Sequence, residues 1–243
     1  YADKGGFDLV AQGMSGLMSI TGEDKNKPPM KVGAPLTDIT AGLLAASGIL
    51  AALIHRDKTG EGQKVDTSLY EAGIVHTYWQ SAIAGATGIS PGPLGSAHPL
   101  TAPYQAFKTK DKWITVGASN QNTWLMLLKA INREDLNDNE KFSSNASRKK
   151  NLNELVKILN DELIKKRSEE WLKIFDENGL PCGPINSITD MFKDPQTMER
   201  EMIIEVNNKK AGTSKAIGMP IKFSKSKTEK SKGAPDLGEH TRA

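Results

Sequence analysis

Asp38 is the residue in this sequence best placed for covalent chemistry. It stands near the head of Ala34-Pro-Leu-Thr-Asp-Ile-Thr-Ala-Gly-Leu-Leu-Ala-Ala-Ser-Gly-Ile-Leu-Ala-Ala-Leu-Ile-His55, where positions 39–54 carry no charge and the only hydroxyls are Thr40 and Ser47. A carboxylate is a poor nucleophile toward an ester. It can attack a thioester, because the mixed anhydride that forms is close enough in energy for the step to run in both directions. A thiolate leaving group, with a pKa near ~8.5, helps the bond to break. Amides and the positive dipole end at a helix start keep such a carboxylate ionised, whereas burial strips its water and raises its pKa. The same position suits a helix cap, worth roughly 0.5–2 kcal/mol, and one carboxylate can serve both purposes.

Other chemistries find less support. The histidines His55, His76, His98 and His240 lie far apart, and there is no His-x-x-x-His or Cys-x-x-Cys spacing, so no metal site is expected. Gly60-Glu-Gly62 lacks the rest of a dinucleotide fingerprint and follows a helical stretch, so it reads as a turn. Neither a Walker lysine motif nor a Gly-x-Ser-x-Gly elbow occurs.

The element that must position Asp38 is the helix behind it. Pro35 cannot continue a helix backwards, and Thr37 or Asp38 can cap the one that begins here. Apolar on every side, this helix is expected to be enclosed by other elements. Before it, Leu9, Val10, Gly13, Met14, Leu17 and Met18 have helical spacing, and 30–35 is extended. After it come a glycine-punctuated turn, a brief strand or helix entry at 64–68, and a helix through Leu69, Ala72, Val75, Trp79 and Ile83 capped by Asp66 or Thr67.

A proline- and glycine-rich stretch then marks a boundary, so the expected organisation is 1–85 as part of a large domain carrying Asp38, a linker at 86–103, a small α+β domain at 104–179, and a return linker with further large-domain sequence at 180–243. The small domain is expected to hold a hairpin at 104–117 turning at Lys110-Asp111-Lys112, and helices at 121–131, 149–164 and 168–175. Short helices near 188–192 and 195–201 and strands near 203–206 and 217–223 follow, with a solvated lysine-rich stretch at 222–232.

With 243 residues the chain can bury a real core. Lysine plus arginine number 32 and aspartate plus glutamate 29, a net +3 that does not suggest nucleic acid or a membrane as the main partner. The apolar run 39–54 is shorter than the ~20 residues of a membrane span and includes Gly42 and Gly48, so a buried core helix is expected. A single cysteine, Cys182, favours a reducing compartment, and no secretory or transit signal is visible; the expected location is cytoplasmic, or the mitochondrial matrix in a eukaryote. Without an initiator Met, the sequence reads as a fragment of a longer protein.

Several ordered segments carry a resemblance. Gly5-Gly-Phe-Asp-Leu-Val-Ala-Gln-Gly-Met-Ser-Gly-Leu-Met-Ser-Ile-Thr-Gly22, Pro35-Leu-Thr-Asp-Ile-Thr-Ala-Gly42, Lys58-Thr-Gly-Glu-Gly-Gln63, Pro103-Tyr-Gln-Ala-Phe107, Gly179-Leu-Pro-Cys-Gly-Pro184 and Gly238-Glu-His-Thr241 resemble the family III CoA-transferases over nearly the whole chain. The resemblance implies an α/β fold, with a Rossmann-like large domain, incomplete here, and a small domain, in an interlocked homodimer. It implies that Asp38 is the nucleophile and that Gly5, Gly6, Phe7 and Asp8 contact CoA or the bound acid. Gly95, Ser96, Ala97 and His98 fall where relatives carry a mobile glycine loop over the active site. The implied substrates are an acyl-CoA and a small carboxylic acid, of which a dicarboxylic acid is the expected kind, with CoA as substrate rather than a tightly bound cofactor and with no metal. The α-methylacyl-CoA racemases resemble the chain around Asp38 too. Their proton-transfer histidine and glutamate fall at Phe7 and near Phe107, and phenylalanine carries no transferable proton.

Overall fold

Apolar residues at helical spacing build the start of the chain, and a left-handed residue breaks the first run in two. In the computed structural model, which describes residues 3–208, 210–226 and 233–241, α1 (Asp8–Met14) and α2 (Leu17–Ile20) are separated by Gly16 at φ +87°. Only glycine takes that conformation cheaply. The long helix α3 (Leu36–Thr59) follows, ending in its Arg56 and Lys58 turn and closed by Gly60 at φ +80°, whose amide bonds the Arg56 carbonyl at 2.7 Å.

Positions 64–68 are extended but pair with no strand among the described residues, so of the two readings, strand or entry into the next helix, the second is the one observed. The last of these residues, Ser68, rather than Asp66 or Thr67, caps α4 (Leu69–Val75), accepting from the Glu71 amide while donating to the Glu71 carboxylate. The single helix expected through Ile83 is broken at His76 and Thr77, and α5 (Tyr78–Thr87) begins anew.

β1 (Tyr104–Lys108) and β2 (Trp113–Gly117) form the anticipated antiparallel hairpin, with Phe107 facing Ile114. β3 (Cys182–Pro184) pairs antiparallel on the other side of β2. One face of the sheet packs on α6 (Gln121–Ile131), α8 (Leu152–Leu163) and α9 (Ser168–Glu177). Trp124, Leu127, Leu128 and Ile131 of α6, Leu155, Leu159 and Leu163 of α8, and Trp171 and Phe175 of α9 all point into this core. The helix expected over 149–164 divides at Asn151 into α7 (Asn145–Lys150) and α8.

Buried in the same region is Arg148, whose Nε donates to the Ala102 carbonyl at 2.7 Å and whose Nη1 donates to Phe142 O and Gln121 Oε1. Its guanidinium lies 4.8 Å from the centre of the Trp124 ring. Burial pulls the Arg148 pKa below its ordinary value.

The chain divides into two compact units, Tyr1–Pro184 and Ile185–Ala243. The second contains α10 (Ile188–Met191), α11 (Pro195–Glu199) and an antiparallel pair, β4 (Ile203–Asn208) and β5 (Gly212–Ile217). The second strand thus lies before the expected 217–223, because the turn around Lys210 closes the hairpin tightly, with Asn208 Oδ1 accepting from the Lys210 and Ala211 amides. Of the lysine-rich stretch, 227–232 lie outside the described residues; 222–226 are exposed.

The largest departure concerns α3. Within this chain it is not enclosed: Thr37 is its one buried residue, and Leu43 and Leu50 are 64% and 62% exposed. The helices that pack against it, chiefly α4 and α1, are seven residues each and cover one side only. Among the described residues it is the one helix long and apolar enough to cross a membrane by length and composition.

Candidate active site

The start of α3 is built from three segments. Pro35 is the N-cap, with φ −74° and ψ 70°, and offers no side-chain acceptor. Thr37 and Asp38 are therefore the second and third residues of the helix, and neither is its cap, a correction to the expectation from sequence. The cap is supplied from α1. Oδ1 of Asp8 accepts from the Thr37 amide at 3.1 Å and from the Thr37 hydroxyl at 2.9 Å. Its other oxygen, Oδ2, accepts from Gln12 Nε2 at 2.8 Å, and Gln12 Oε1 accepts from the Val32 amide at 2.9 Å. Gln12 and Thr37 are both fully buried. The network ties α1, the extended approach to α3 and the first turn of α3 together.

Burial acts to raise the Asp8 pKa, but the Thr37 hydroxyl and amide, the Gln12 amide and the Lys31 charge outweigh it and hold the carboxyl below its ordinary value. Asp38, one residue past Thr37, is exposed, and no hydrogen bond or ion pair from the described residues reaches its carboxylate. In the first turn it lies in the positive end of the dipole of a 24-residue helix. Two further contacts hold α3 against its neighbours: Thr40 Oγ1 lies 2.7 Å from His76 Nε2, and a Cβ at Gly73 of α4 would stand 3.4 Å from Thr37 Cγ2.

The remaining candidates divide between two places. Gly5 and Gly6, with open space where a side chain would begin, line a cleft of about 330 Å³ together with Lys4, Met14, Ser68 and Tyr70. Phe7 is the N-cap of α1 with its ring 80% exposed, and Asp8 turns toward α3 as described. Gly95–His98 forms a separate cluster that is bonded in place. The Gly95 amide donates to Gly22 O, Ser96 Oγ accepts from the Ala106 amide, and the His98 amide donates to Tyr104 O. The His98 ring stands between Trp79 and Tyr104, at centroid distances of 4.8 and 5.2 Å. His98 Nδ1 accepts from the Leu100 and Thr101 amides, which puts the ring proton on Nε2, and burial followed by the Lys149 charge lowers its pKa. Any cover this segment forms is held by these bonds.

Sequence reasoning missed Gln12, the capping use of Asp8, and the Thr40–His76 link. A signal for Gln12 was present: it lies four residues after Asp8 on a short, mostly apolar helix. Among the described residues no cluster of three or more histidine, cysteine or acidic side chains could hold a metal ion. Burial and the neighbouring Asp176 push the Cys182 thiol up to about 11, which leaves it a poor nucleophile.

With an exposed carboxylate at a helix start and an α/β framework around it, the chain can be set beside known proteins. Residues 1–241 match the CoA-transferase family III, and the chain belongs to that family. It is 39% identical over 248 residues to an acyl-CoA transferase of Fusarium pseudograminearum, covering 99% of this chain and 53% of that protein. It is 35% identical to the succinyl-CoA:glutarate CoA-transferase of Homo sapiens, covering 99% of this chain and 55% of the relative. The succinyl-CoA:mesaconate CoA-transferase of Haloarcula marismortui is 34% identical, with 96% and 58% covered. A crystal structure of a CAIB/BAIF family protein from Brucella suis superposes with a TM-score of 0.82 at 32% identity, covering 99% of this chain and 62% of that one. The chain thus spans a little over half the length of the curated relatives it matches.

Proposed function

We propose that the protein moves CoA from an acyl-CoA thioester to a small carboxylic acid, with Asp38 as the nucleophile. The observation that carries this reading is the exposed Asp38 carboxylate, in the first turn of α3 and released from capping by Asp8. Asp38 attacks the donor acyl carbon, the C–S bond breaks, and CoA leaves as thiolate with a mixed anhydride on the enzyme. The thiolate then attacks the Asp38 carbonyl carbon, which frees the donor acid and leaves an aspartyl-CoA thioester. The acceptor carboxylate attacks that thioester and expels the thiolate again. Attack of the thiolate on the acceptor acyl carbon yields the new acyl-CoA and restores Asp38. No step needs a proton or water, so a site without an acid/base pair suffices. The cleft at Gly5 and Gly6 supports placing the acyl group or CoA there, since unhindered glycine amides can face a developing oxyanion.

The relatives' names point to small dicarboxylates, with succinyl-CoA paired with glutarate or mesaconate and acetyl-CoA paired with oxalate. In this reading α3 is the core helix of a Rossmann-like large domain within an interlocked homodimer, and neither nucleic acid nor a membrane is a partner. Commitment of Thr37, Thr40 and Gly48 to contacts with Asp8, His76 and Val65 supports a protein rather than a lipid environment for the helix. Racemisation is the weaker alternative, since by the resemblance the racemases' proton-transfer histidine falls at Phe7, which is exposed here, and their glutamate falls near Phe107, which is fully buried. The location follows the reducing-compartment reading, cytoplasm or mitochondrial matrix.

Asp38→Ala in the whole protein is expected to reduce transfer from succinyl-CoA by at least about 10³-fold, with little effect on folding, because the exposed side chain makes no structural bond. Hydroxylamine added during turnover is expected to trap an acyl group or CoA on Asp38. Normal turnover by the alanine variant would remove Asp38 from the mechanism.

A further inference from the structure

We infer that Asp8 is a positioning residue: it caps α3 from a neighbouring helix through the amide and hydroxyl of Thr37, and thereby sets where the Asp38 side chain emerges. This rests on the reading of Asp38 as nucleophile, and it assigns Asp8 a role other than contact with CoA or acid.

The geometry makes the case in three steps. A helix start leaves its first amides without partners inside the helix, and the residue at the N-cap ordinarily supplies an acceptor. Pro35 has none to supply. Asp8 fills that place with Oδ1, which takes two donors from Thr37, 29 positions away in sequence. Its second oxygen is held by Gln12, which in turn accepts from the amide of Val32 on the approach to α3. Both carboxylate oxygens are therefore engaged by the protein, two of the three partners in the network are fully buried, and the carboxylate cannot turn toward a ligand without breaking the cap. Because Asp38 directly follows Thr37, a displacement of Thr37 moves the nucleophile by a similar amount. A shift on the order of 1 Å can cost about 10²-fold in rate.

The test compares wild type, Asp8→Ala, Asp8→Asn, Thr37→Val and the Asp8→Ala/Thr37→Val pair in the whole protein, well below each melting temperature, with succinyl-CoA and glutarate. Asp8→Ala is expected to lower kcat by roughly 10–100-fold with both KM values within about threefold of wild type. Asp8→Asn keeps an oxygen to accept from Thr37 but sets its Nδ2 donor against the Gln12 Nε2 donor, so it should recover part of that loss and be faster than Asp8→Ala. The double variant should fall well short of the product of the two single effects. A raised KM with unchanged kcat, or effects that simply multiply, would overturn the inference.

Amide exchange at positions 36–40, followed without substrate, gives a readout independent of the reaction. Asp8→Ala should accelerate it by at least about tenfold and Asp8→Asn, which still accepts from Thr37, by less; equal rates in wild type and Asp8→Ala also overturn the inference. If wild type transfers CoA to no acid while exchange behaves as stated, the nucleophile reading fails and the capping role stands.

Discussion

Asp8, Asp38 and Asp111 each lie beside a helix start in the first unit, and their chemistry differs because their partners differ. Asp8 gives both oxygens to Thr37 and Gln12. Asp111, in the turn between β1 and β2, accepts from the Ser168 amide at 2.8 Å at the start of α9 and pairs with Arg167. Asp38 has a helix dipole but no bonded partner among the described residues. The Ser168 amide, helped by the Thr109 hydroxyl and Arg167 and opposed by burial, lowers the Asp111 pKa to about 2. A carboxyl depressed in the folded state contributes stability that is fully present above its unfolded value of 3.8 and is lost as pH falls toward about 2. The expected outcome is that Asp111→Ala lowers the melting temperature at neutral pH, and that wild type and variant converge between pH 4 and pH 2 in thermal melts. Unchanged separation across that window would show that the Ser168 contact is not what Asp111 contributes.

Among the elements, α4 has little room against α1 and α3. A Cβ built on Gly73 would stand 2.5 Å from Ser15 Oγ and 2.8 Å from Ser15 Cβ, closer than real atoms approach. Gly73→Ala is expected to destabilise by about 1–3 kcal/mol and, by pressing on Ser15 and Thr37, to lower kcat as well. Denaturant titration and steady-state kinetics check the two effects separately. The hairpin and α6 were legible because alternation, turn residues and an i, i+3, i+4 stripe all agree locally. The breaks at Gly16 and at His76–Thr77 were not, because apolar spacing continues across each of them, and the break at Asn151 falls in the polar run 147–151, where no pattern marks it. Arg148 escaped notice for a related reason. A basic residue in Ser147-Arg-Lys-Lys150 reads as surface, and only the carbonyls of Ala102 and Phe142, brought from elsewhere in the chain, make its burial tolerable.

For the whole molecule, α3 stands out as apolar around its circumference yet largely uncovered by the described residues. Exposed Ile39, Leu43, Ile49, Leu50 and Ile54 form more apolar surface than isolated surface residues account for. In the proposed reading of an interlocked homodimer, a second copy covers it. Leu50→Glu in the whole protein is then expected to lower the melting temperature by about 5–10 °C and to reduce dimer content. Unchanged stability and assembly, measured by thermal melts and sedimentation, would mean that this face meets water.

The sequence by itself determined the ordered family motifs, the identity of the one carboxylate at the head of an apolar helix, and the absence of proton carriers at Phe7 and Phe107. These depend on residue type and local order, which are read directly along the chain. Which residue caps that helix was decided only in three dimensions. Thr37 and Asp38 were both adequate caps by propensity, but Pro35 set the helix start one residue ahead of Thr37, and the acceptor came from Asp8, 29 residues upstream of its partner. Local pattern cannot show a hydrogen bond that closes across such a separation. It is this bond that caps the helix, while the Asp38 carboxylate has no bonded partner among the described residues.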